Sequence, residues 1–114
     1  MNERRGAKRT HLMFHITVLD CDTDENLGYL VDLTTEGLLL ISEEPPELNK
    51  VFKLCLHLPV DVFGMSELNL VAESRWCKKD LNPEFYDTGF RMIEVAQEQV
   101  EKINCMIEEY GFTD

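Results

Sequence analysis

Long apolar runs and closely spaced cysteine pairs are both missing from this 114-residue sequence. No stretch approaches the ~20 apolar residues that a membrane-spanning helix needs, and the first nine residues are too polar and basic for a secretory signal. We therefore expect a cytoplasmic protein that does not insert into membranes. Four cysteines without a C-x-x-C pair argue against a zinc or thioredoxin-like motif and predict free thiols, at Cys21, Cys55, Cys77 and Cys105.

Sequence signatures of catalysis are also absent, since there is no nucleophile elbow, phosphate-binding loop or G-x-G-x-x-G motif. The three histidines, His11, His15 and His57, are scattered, and none has a cysteine or carboxylate at the helical or turn spacing of a metal site. The acidic residues lie in surface-like runs, which are usually solvated. We expect a protein that is not an enzyme and that holds neither a metal ion nor a cofactor.

The acidic segment from Asp20 to Gly28 begins like a calcium-binding loop, with aspartates at positions one, three and five. Position six would be Glu25 instead of glycine, and position twelve would be Val31 instead of glutamate. The segment is therefore predicted to be a solvated hairpin loop.

Positive charge is scarce, with 11 Lys and Arg residues against 22 Asp and Glu residues and a net charge of −11. Nucleic-acid affinity rests on many cationic contacts, so DNA and RNA are not expected as partners. An oligonucleotide-binding barrel is further disfavoured because the sequence lacks clustered surface aromatic residues. Residues 1–9 hold four basic residues and one acidic residue, so we expect this arm to be the only positive region and to attract a small anion.

Alternating apolar residues, which are typical of strands with one buried face, recur six times. The predicted strands run through Leu12–Val18, Tyr29–Val31, Leu38–Ile41, Phe52–Leu58, Leu68–Cys77 and Phe85–Ile93. Apolar residues at helical spacing then predict a helix from Val95 to Tyr110, packed through Ala96, Val100, Ile103, Ile107 and Tyr110. A chain of this length forms one domain, so we expect a mainly β fold, a small six-stranded antiparallel β-barrel with a C-terminal α-helix.

A polar turn over residues 32–37 joins the second and third predicted strands. If the odd-numbered residues from Tyr29 to Leu33 face the core, Asp32 and Thr34 lie together on the outer face. Gly37 is expected where a positive φ or a close backbone approach excludes a side chain. On these residues alone, the segment is a well-formed hairpin.

Two short motifs add a functional hypothesis. An R-x-x-x-R pair at Arg5 and Arg9 precedes the first predicted strand, and the turn reads D-x-T-x-x-G at Asp32, Thr34 and Gly37. In this order and spacing, they resemble the PilZ domain, the bacterial receptor module for cyclic di-GMP, whose signatures are R-x-x-x-R and [D/N]-x-S-x-x-G. The resemblance covers nearly the whole chain and departs at Thr34, where the family usually has serine. The hydroxyl group is retained and a methyl group is added.

The resemblance implies which residues contact the ligand. Arginine can hold a phosphate or the O6/N7 edge of guanine with two hydrogen bonds, and aspartate accepts hydrogen bonds from guanine N1 and N2. By this resemblance, Arg5 and Arg9 bind the phosphates and a guanine edge, and Arg4 assists them. Asp32 and Thr34 offer hydrogen-bond acceptors to the bases. The turn glycine and one aromatic residue complete the set: Arg4, Arg5, Arg9, Asp32, Thr34, Gly37 and Trp76.

Trp76 has two interpretations, since it either stacks on a base or forms part of the core, as tryptophan more often does. The N-terminal residues lack apolar periodicity, so we expect a flexible basic arm over residues 1–11, followed by the barrel and helix over residues 12–114. The leading functional implication of the resemblance is a cyclic di-GMP receptor that changes its surface on ligand binding and so regulates an unidentified partner protein. The alternative is a PilZ-like protein interaction module that does not bind cyclic di-GMP.

Overall fold

Six strands and one helix make up the computed structural model, which describes residues 16–60 and 64–110, with side chains described as far as Glu108. The strands are β1 Thr17–Asp20, β2 Asn26–Leu33, β3 Gly37–Ser42, β4 Val51–His57, β5 Glu67–Lys79 and β6 Tyr86–Glu94, and the helix is α1 Gln97–Tyr110. All strand pairs are antiparallel, and they close into a barrel in the order β1-β2-β3-β6-β5-β4. The predicted six-stranded barrel with a C-terminal helix is confirmed.

Alternating side chains build the core of the barrel. On β4, Phe52, Leu54 and Leu56 point inwards and are buried, whereas the residues between them face outwards. From α1, Ile103 and Met106 add fully buried side chains. Burying a leucine-sized side chain contributes about 1.5–3 kcal/mol, so this continuous apolar interior is the main source of stability in the barrel.

The second strand contains a β-bulge at Val31, an extra residue with no counterpart on β3. The bulge shifts the alternation, so Leu30 and Leu33 are both buried, whereas Tyr29 is 43% exposed and Val31 is half-buried. The expectation that Tyr29 and Val31 face the core is therefore wrong, because even spacing holds only in a strand without a bulge. Asp32 lies just after the bulge and outside the core.

The loop after β1 is a solvated hairpin loop, as predicted, with every residue from Cys21 to Glu25 exposed, but it is shorter than predicted. Asp20 is 6% exposed, and its Oδ1 accepts a hydrogen bond from the backbone N–H of Asp22 at 2.8 Å. β2 already begins at Asn26, inside the predicted loop. The side chain of Asp20 thus stabilises the turn from within, which the acidic composition of the segment does not indicate.

The helix begins at Gln97, two residues later than predicted. The side-chain Oε1 of Gln99 accepts the backbone N–H of Ala96 at 2.9 Å, which caps the first turn. Ala96 is itself exposed, so the packed face is centred on Ile103 and Met106 instead. Within the described part of the chain, no helix combines the length and apolar character needed to cross a bilayer.

Candidate functional site

A cleft of about 540 Å³ opens on the outer wall of the barrel, beside the turn between β2 and β3. Three elements contribute its lining: the turn and its flanking strand ends, the second half of β5, and β6. These residues are Asp32, Leu33, Thr34, Glu36, Gly37, Leu38 and Leu39, then Arg75, Trp76 and Lys78, and finally Gly89, Phe90 and Arg91.

The hydroxyl group of Thr34 organises the turn. Its Oγ1 accepts hydrogen bonds from the backbone N–H groups of Glu36 at 3.1 Å and Gly37 at 3.2 Å. It also donates to the carbonyl oxygen of Gly37 at 3.4 Å. A backbone hydrogen bond from Met92 to the carbonyl of Glu36, at 2.9 Å, ties the turn to β6. The turn is therefore a preformed surface rather than a loose loop.

Gly37 lies in close backbone contact with β6. A Cβ atom at this position would overlap the carbonyl oxygen of Phe90. Of the two predicted reasons for a glycine here, close approach is therefore the one that the structure shows. The contact holds the turn against the strand that forms the floor of the cleft.

Asp32 directs its carboxyl group to the cleft side of β2, since the bulge at Val31 keeps it off the buried face. Its Oδ1 accepts the backbone N–H of Leu33 at 2.9 Å, and the side chain is half-buried. A carboxylate has two oxygens with several lone-pair directions, so a group of this kind can accept several hydrogen bonds at once.

Trp76 forms an aromatic platform in the cleft, with 44% of its surface exposed. Its indole ring lies directly over Gly89, the residue paired with it on β6. Lys78 Nζ is 5.5 Å from the ring centroid, within cation–π range. Of its two interpretations, core packing is therefore excluded, because the ring lies on the outer face of the barrel.

Gly89 makes this platform possible, because a Cβ atom here would overlap the indole ring. We expect the Gly89→Ala variant to lift Trp76 from the strand and to lose part of any stacking interaction, which contributes about 1–3 kcal/mol per base. Trp76 fluorescence should shift while the melting temperature changes little, since a half-exposed ring is free to move. An unchanged emission maximum in the variant would contradict this packing.

Three cationic side chains in the cleft were missed by the sequence analysis: Arg75, Lys78 and Arg91. A bulge at Arg75 on β5 leaves this residue and Trp76 both facing outwards. Arg75 forms an exposed ion pair with Glu73 at 3.2 Å, a contact worth at most about 1 kcal/mol and therefore easily exchanged for a ligand anion. Cationic side chains are thus gathered in the cleft as well as in residues 1–9.

Four of the predicted site residues meet in this cleft: Asp32, Thr34, Gly37 and Trp76. The other three, Arg4, Arg5 and Arg9, lie outside the described residues, as does the predicted arm over residues 1–11. The first part of the predicted strand Leu12–Val18 also lies there, and β1 is described from Thr17.

A second polar cluster lies near the start of β5. Cys55 and His57 are two residues apart on β4, so they share the outer face of the barrel, and Glu67 on β5 pairs with His57. One ligand atom from each of the three side chains lies within 4.8 Å of the others. Sequence spacing around His57 does not reveal this arrangement, because the carboxylate comes from another strand. All four cysteines are described, and none of them forms a disulfide bond, as predicted.

The comparison with known families agrees with this geometry. A family model described as the PilZ domain matches residues 3–109. The chain belongs to the PilZ family. PilZ domains form a family of cyclic di-GMP receptors and act as binding or adaptor modules rather than as enzymes. None of the curated proteins compared with the chain matches it.

Solved structures give the same fold. K. pneumonia MrkH in its apo state matches with a TM-score of 0.70 and 13% sequence identity, over 96% of this chain and 52% of MrkH. The Bacillus subtilis inhibitor of motility, MotI/DgrA, matches with a TM-score of 0.64 and 12% identity, over 95% of this chain and 51% of the inhibitor. This PilZ chain thus spans about half the length of each.

Proposed function

We propose that this PilZ domain binds cyclic di-GMP in the cleft beside the β2–β3 turn and conveys ligand occupancy to a partner protein. One observation carries the proposal: the D-x-T-x-x-G turn, the exposed ring of Trp76 and the cationic residues Arg75 and Arg91 line the same cleft. An anionic ligand with flat bases requires this combination of positive charge, acceptors and an aromatic surface.

Each group has a chemical role in the proposed complex. Asp32 accepts hydrogen bonds from guanine N1 and N2, and Trp76 offers a face for base stacking. Arg75 and Arg91 hold phosphate oxygens or a guanine edge through paired N–H groups. Charge-assisted hydrogen bonds contribute about 1.5–3 kcal/mol each, so a few of them together with stacking are enough for specific binding.

The arginine arm completes the proposed site. Ordering a backbone residue costs about 1–2 kcal/mol, so holding residues 5–9 in place offsets much of what Arg5 and Arg9 contribute. The cleft residues reduce this entropy cost because the turn is fixed by its own hydrogen bonds and Trp76 by the pairing of β5 with β6. We propose that the arm closes over the cleft on ligand binding, with Arg4 assisting, and that this movement forms the surface that a partner recognises.

Isothermal titration of the full chain with cyclic di-GMP tests the proposed function. We expect saturable binding, no comparable binding of GMP, and competition by unlabelled cyclic di-GMP in a fluorescence assay. Absence of binding at high ligand concentration would overturn the proposal and favour the alternative, an interaction module that acts without cyclic di-GMP.

Two substitutions of Thr34 distinguish the contribution of its hydroxyl group from that of its methyl group. Thr34→Ser keeps every turn hydrogen bond and should bind cyclic di-GMP as well as the parent protein or slightly better. Thr34→Val removes the acceptor for two backbone N–H groups and should lower the free energy of unfolding by about 1 kcal/mol, with weaker ligand binding. Urea titration and calorimetry measure the two effects, and equal values for the valine variant and the parent would show that the hydroxyl group is dispensable.

Closure of the arm is measurable by NMR. We expect backbone amide relaxation of residues 1–10 to report fast motion in the free protein and restricted motion at ligand saturation. The strands and α1 should change little, because their packed faces are already buried. An arm that is rigid without ligand, or still mobile at saturation, would contradict the switch even if binding were observed.

A further inference from the structure

The polar cluster of Cys55, His57 and Glu67 has no role in the proposed cyclic di-GMP site. Glu67 begins β5 and Trp76 lies nine residues further on, which corresponds to roughly 30 Å along the strand. The cluster and the cleft therefore lie near opposite ends of β5.

The register between β4 and β5 brings Cys55, His57 and Glu67 together. Leu54 and Leu56 are buried and point into the barrel. Cys55 lies between them and His57 follows them, so both of these side chains face outwards. The antiparallel pairing of β4 with β5 then places Glu67 directly across from His57. A rigid sheet thus fixes the relative positions of a thiol, an imidazole and a carboxylate.

Cys21 supplies a second thiol beside this group. Its backbone N–H donates to the carbonyl of Lys53 on β4 at 2.8 Å, which fixes the residue just beyond the end of β1. The Cys21 thiol donates a hydrogen bond to Oδ1 of Asn69 on β5 at 3.9 Å, and Cys21 is near enough to Cys55 to contribute to the raised pKa of the Cys55 thiol. Cys21, just after β1, is therefore a neighbour of the group formed by Cys55, His57 and Glu67 on β4 and β5.

The electrostatic environment favours a cation. Burial, the Glu67 carboxylate and the neighbouring Cys21 raise the pKa of the Cys55 thiol to about 11. Burial and the carboxylates of Asp22 and Asp20 also raise the pKa of Cys21. The same negative field that disfavours a thiolate would stabilise a divalent ion placed among these groups.

We propose that Cys55, His57 and Glu67 bind a zinc ion, with the sulfur of Cys21 as the fourth ligand. Zinc bonds of about 2.0–2.3 Å in a tetrahedron place ligand atoms roughly 3.3–3.8 Å apart, so the ligand atoms of Cys55, His57 and Glu67, already within 4.8 Å of one another, need only small side-chain rotations. Cys21 lies outside this group of three, so its side chain has to turn towards the ion. Each thiol that coordinates the ion releases its proton to solvent. The chemistry of two sulfurs and one imidazole selects zinc over magnesium or calcium, which prefer oxygen ligands.

The structural effect of the ion is to cross-link three strands. β1 has only four residues, and it lies between β2 and β4 in the barrel. A metal bridge from Cys21 to β4 and β5 would fix the end of this short strand. Zinc should therefore raise the melting temperature and leave cyclic di-GMP affinity unchanged.

Zinc titration of the full chain against a chromophoric chelator, with a phosphine reductant to keep the thiols reduced, tests the proposal. We expect one zinc ion per chain with a dissociation constant below ~1 µM. Loss of a residue that merely orients a zinc ligand weakens binding about 10- to 100-fold, so Cys55→Ser and His57→Ala should each cost at least ~100-fold. The Cys77→Ser variant is the matched control, since this thiol lies outside the cluster and should leave zinc affinity unchanged.

Cobalt substitution identifies the ligands directly. Tetrahedral cobalt bound by two thiolates gives strong visible bands and a sulfur-to-metal charge-transfer band, and the latter should fall by about half in Cys21→Ser. An unchanged charge-transfer band would remove Cys21 from the ligand set. Equal zinc affinity in Cys55→Ser and Cys77→Ser, or no binding by the parent protein, would overturn the site as a whole. Circular dichroism of each variant shows whether the barrel is intact.

Discussion

Replacing Arg9 or Arg5 by alanine is expected to weaken cyclic di-GMP binding at least ~10-fold, which corresponds to about 1.4 kcal/mol. Both residues belong to the R-x-x-x-R motif and precede the first described core residue, Ile16. Their loss should therefore leave the barrel folded while removing charge-assisted contacts to the ligand. The double variant should bind more weakly than either single variant.

Calorimetry on the parent and the variants measures the loss, and circular dichroism checks the fold. Lys53→Ala is a suitable control because it removes one exposed positive charge from β4, away from the cleft. If Lys53→Ala weakens cyclic di-GMP binding as much as the arginine variants do, the weaker binding results from the change in net charge alone. Parent-like affinity in both arginine variants would exclude the arm from the binding site.

The Gly37→Ala variant should lose about 2–3 kcal/mol of folding free energy, a typical cost when an added methyl group has no room. Its Cβ atom would overlap the carbonyl oxygen of Phe90, and neither backbone is free to move because β3 and β6 are paired here. The turn would have to shift away from β6, so ligand binding should fall as well.

Urea unfolding of Gly37→Ala and Gly89→Ala compares the loss of stability from overlap with a backbone atom with the loss from overlap with a side chain. At Gly89 the added atom meets only the half-exposed indole of Trp76, so the expected loss is below about 1 kcal/mol. Similar unfolding midpoints for the two variants would show that the contact of Gly37 with β6 does not constrain the turn.

Three strands, β1, β3 and β4, were predictable from the sequence because their buried residues alternate without interruption. Phe52, Leu54 and Leu56 illustrate this, and β4 differs from its predicted range by one residue at each end. The alternation fails at Val31 and again near Arg75, where bulges insert an extra residue. A bulge depends on how two strands pair, so apolar spacing within one strand cannot reveal it.

Apart from Trp76, the site was predictable only where its residues belong to a continuous motif. Asp32, Thr34 and Gly37 are close in sequence, and the structure places them on one turn. Arg75 and Arg91 reach the same cleft from two other strands, and their positions follow from the register between β5 and β6. Only a correct strand order and register would have identified them, and neither is encoded in local spacing.

Every described strand is hydrogen-bonded on both sides, since the order β1-β2-β3-β6-β5-β4 returns to its starting point. A partner therefore cannot extend the described sheet by adding a strand of its own, which is a common way of capturing a peptide. Recognition must instead use side chains on the barrel wall, the helix or the arm. The same closure removes the template on which identical chains pair edge to edge, so the folded domain should remain free of β-aggregates at high concentration.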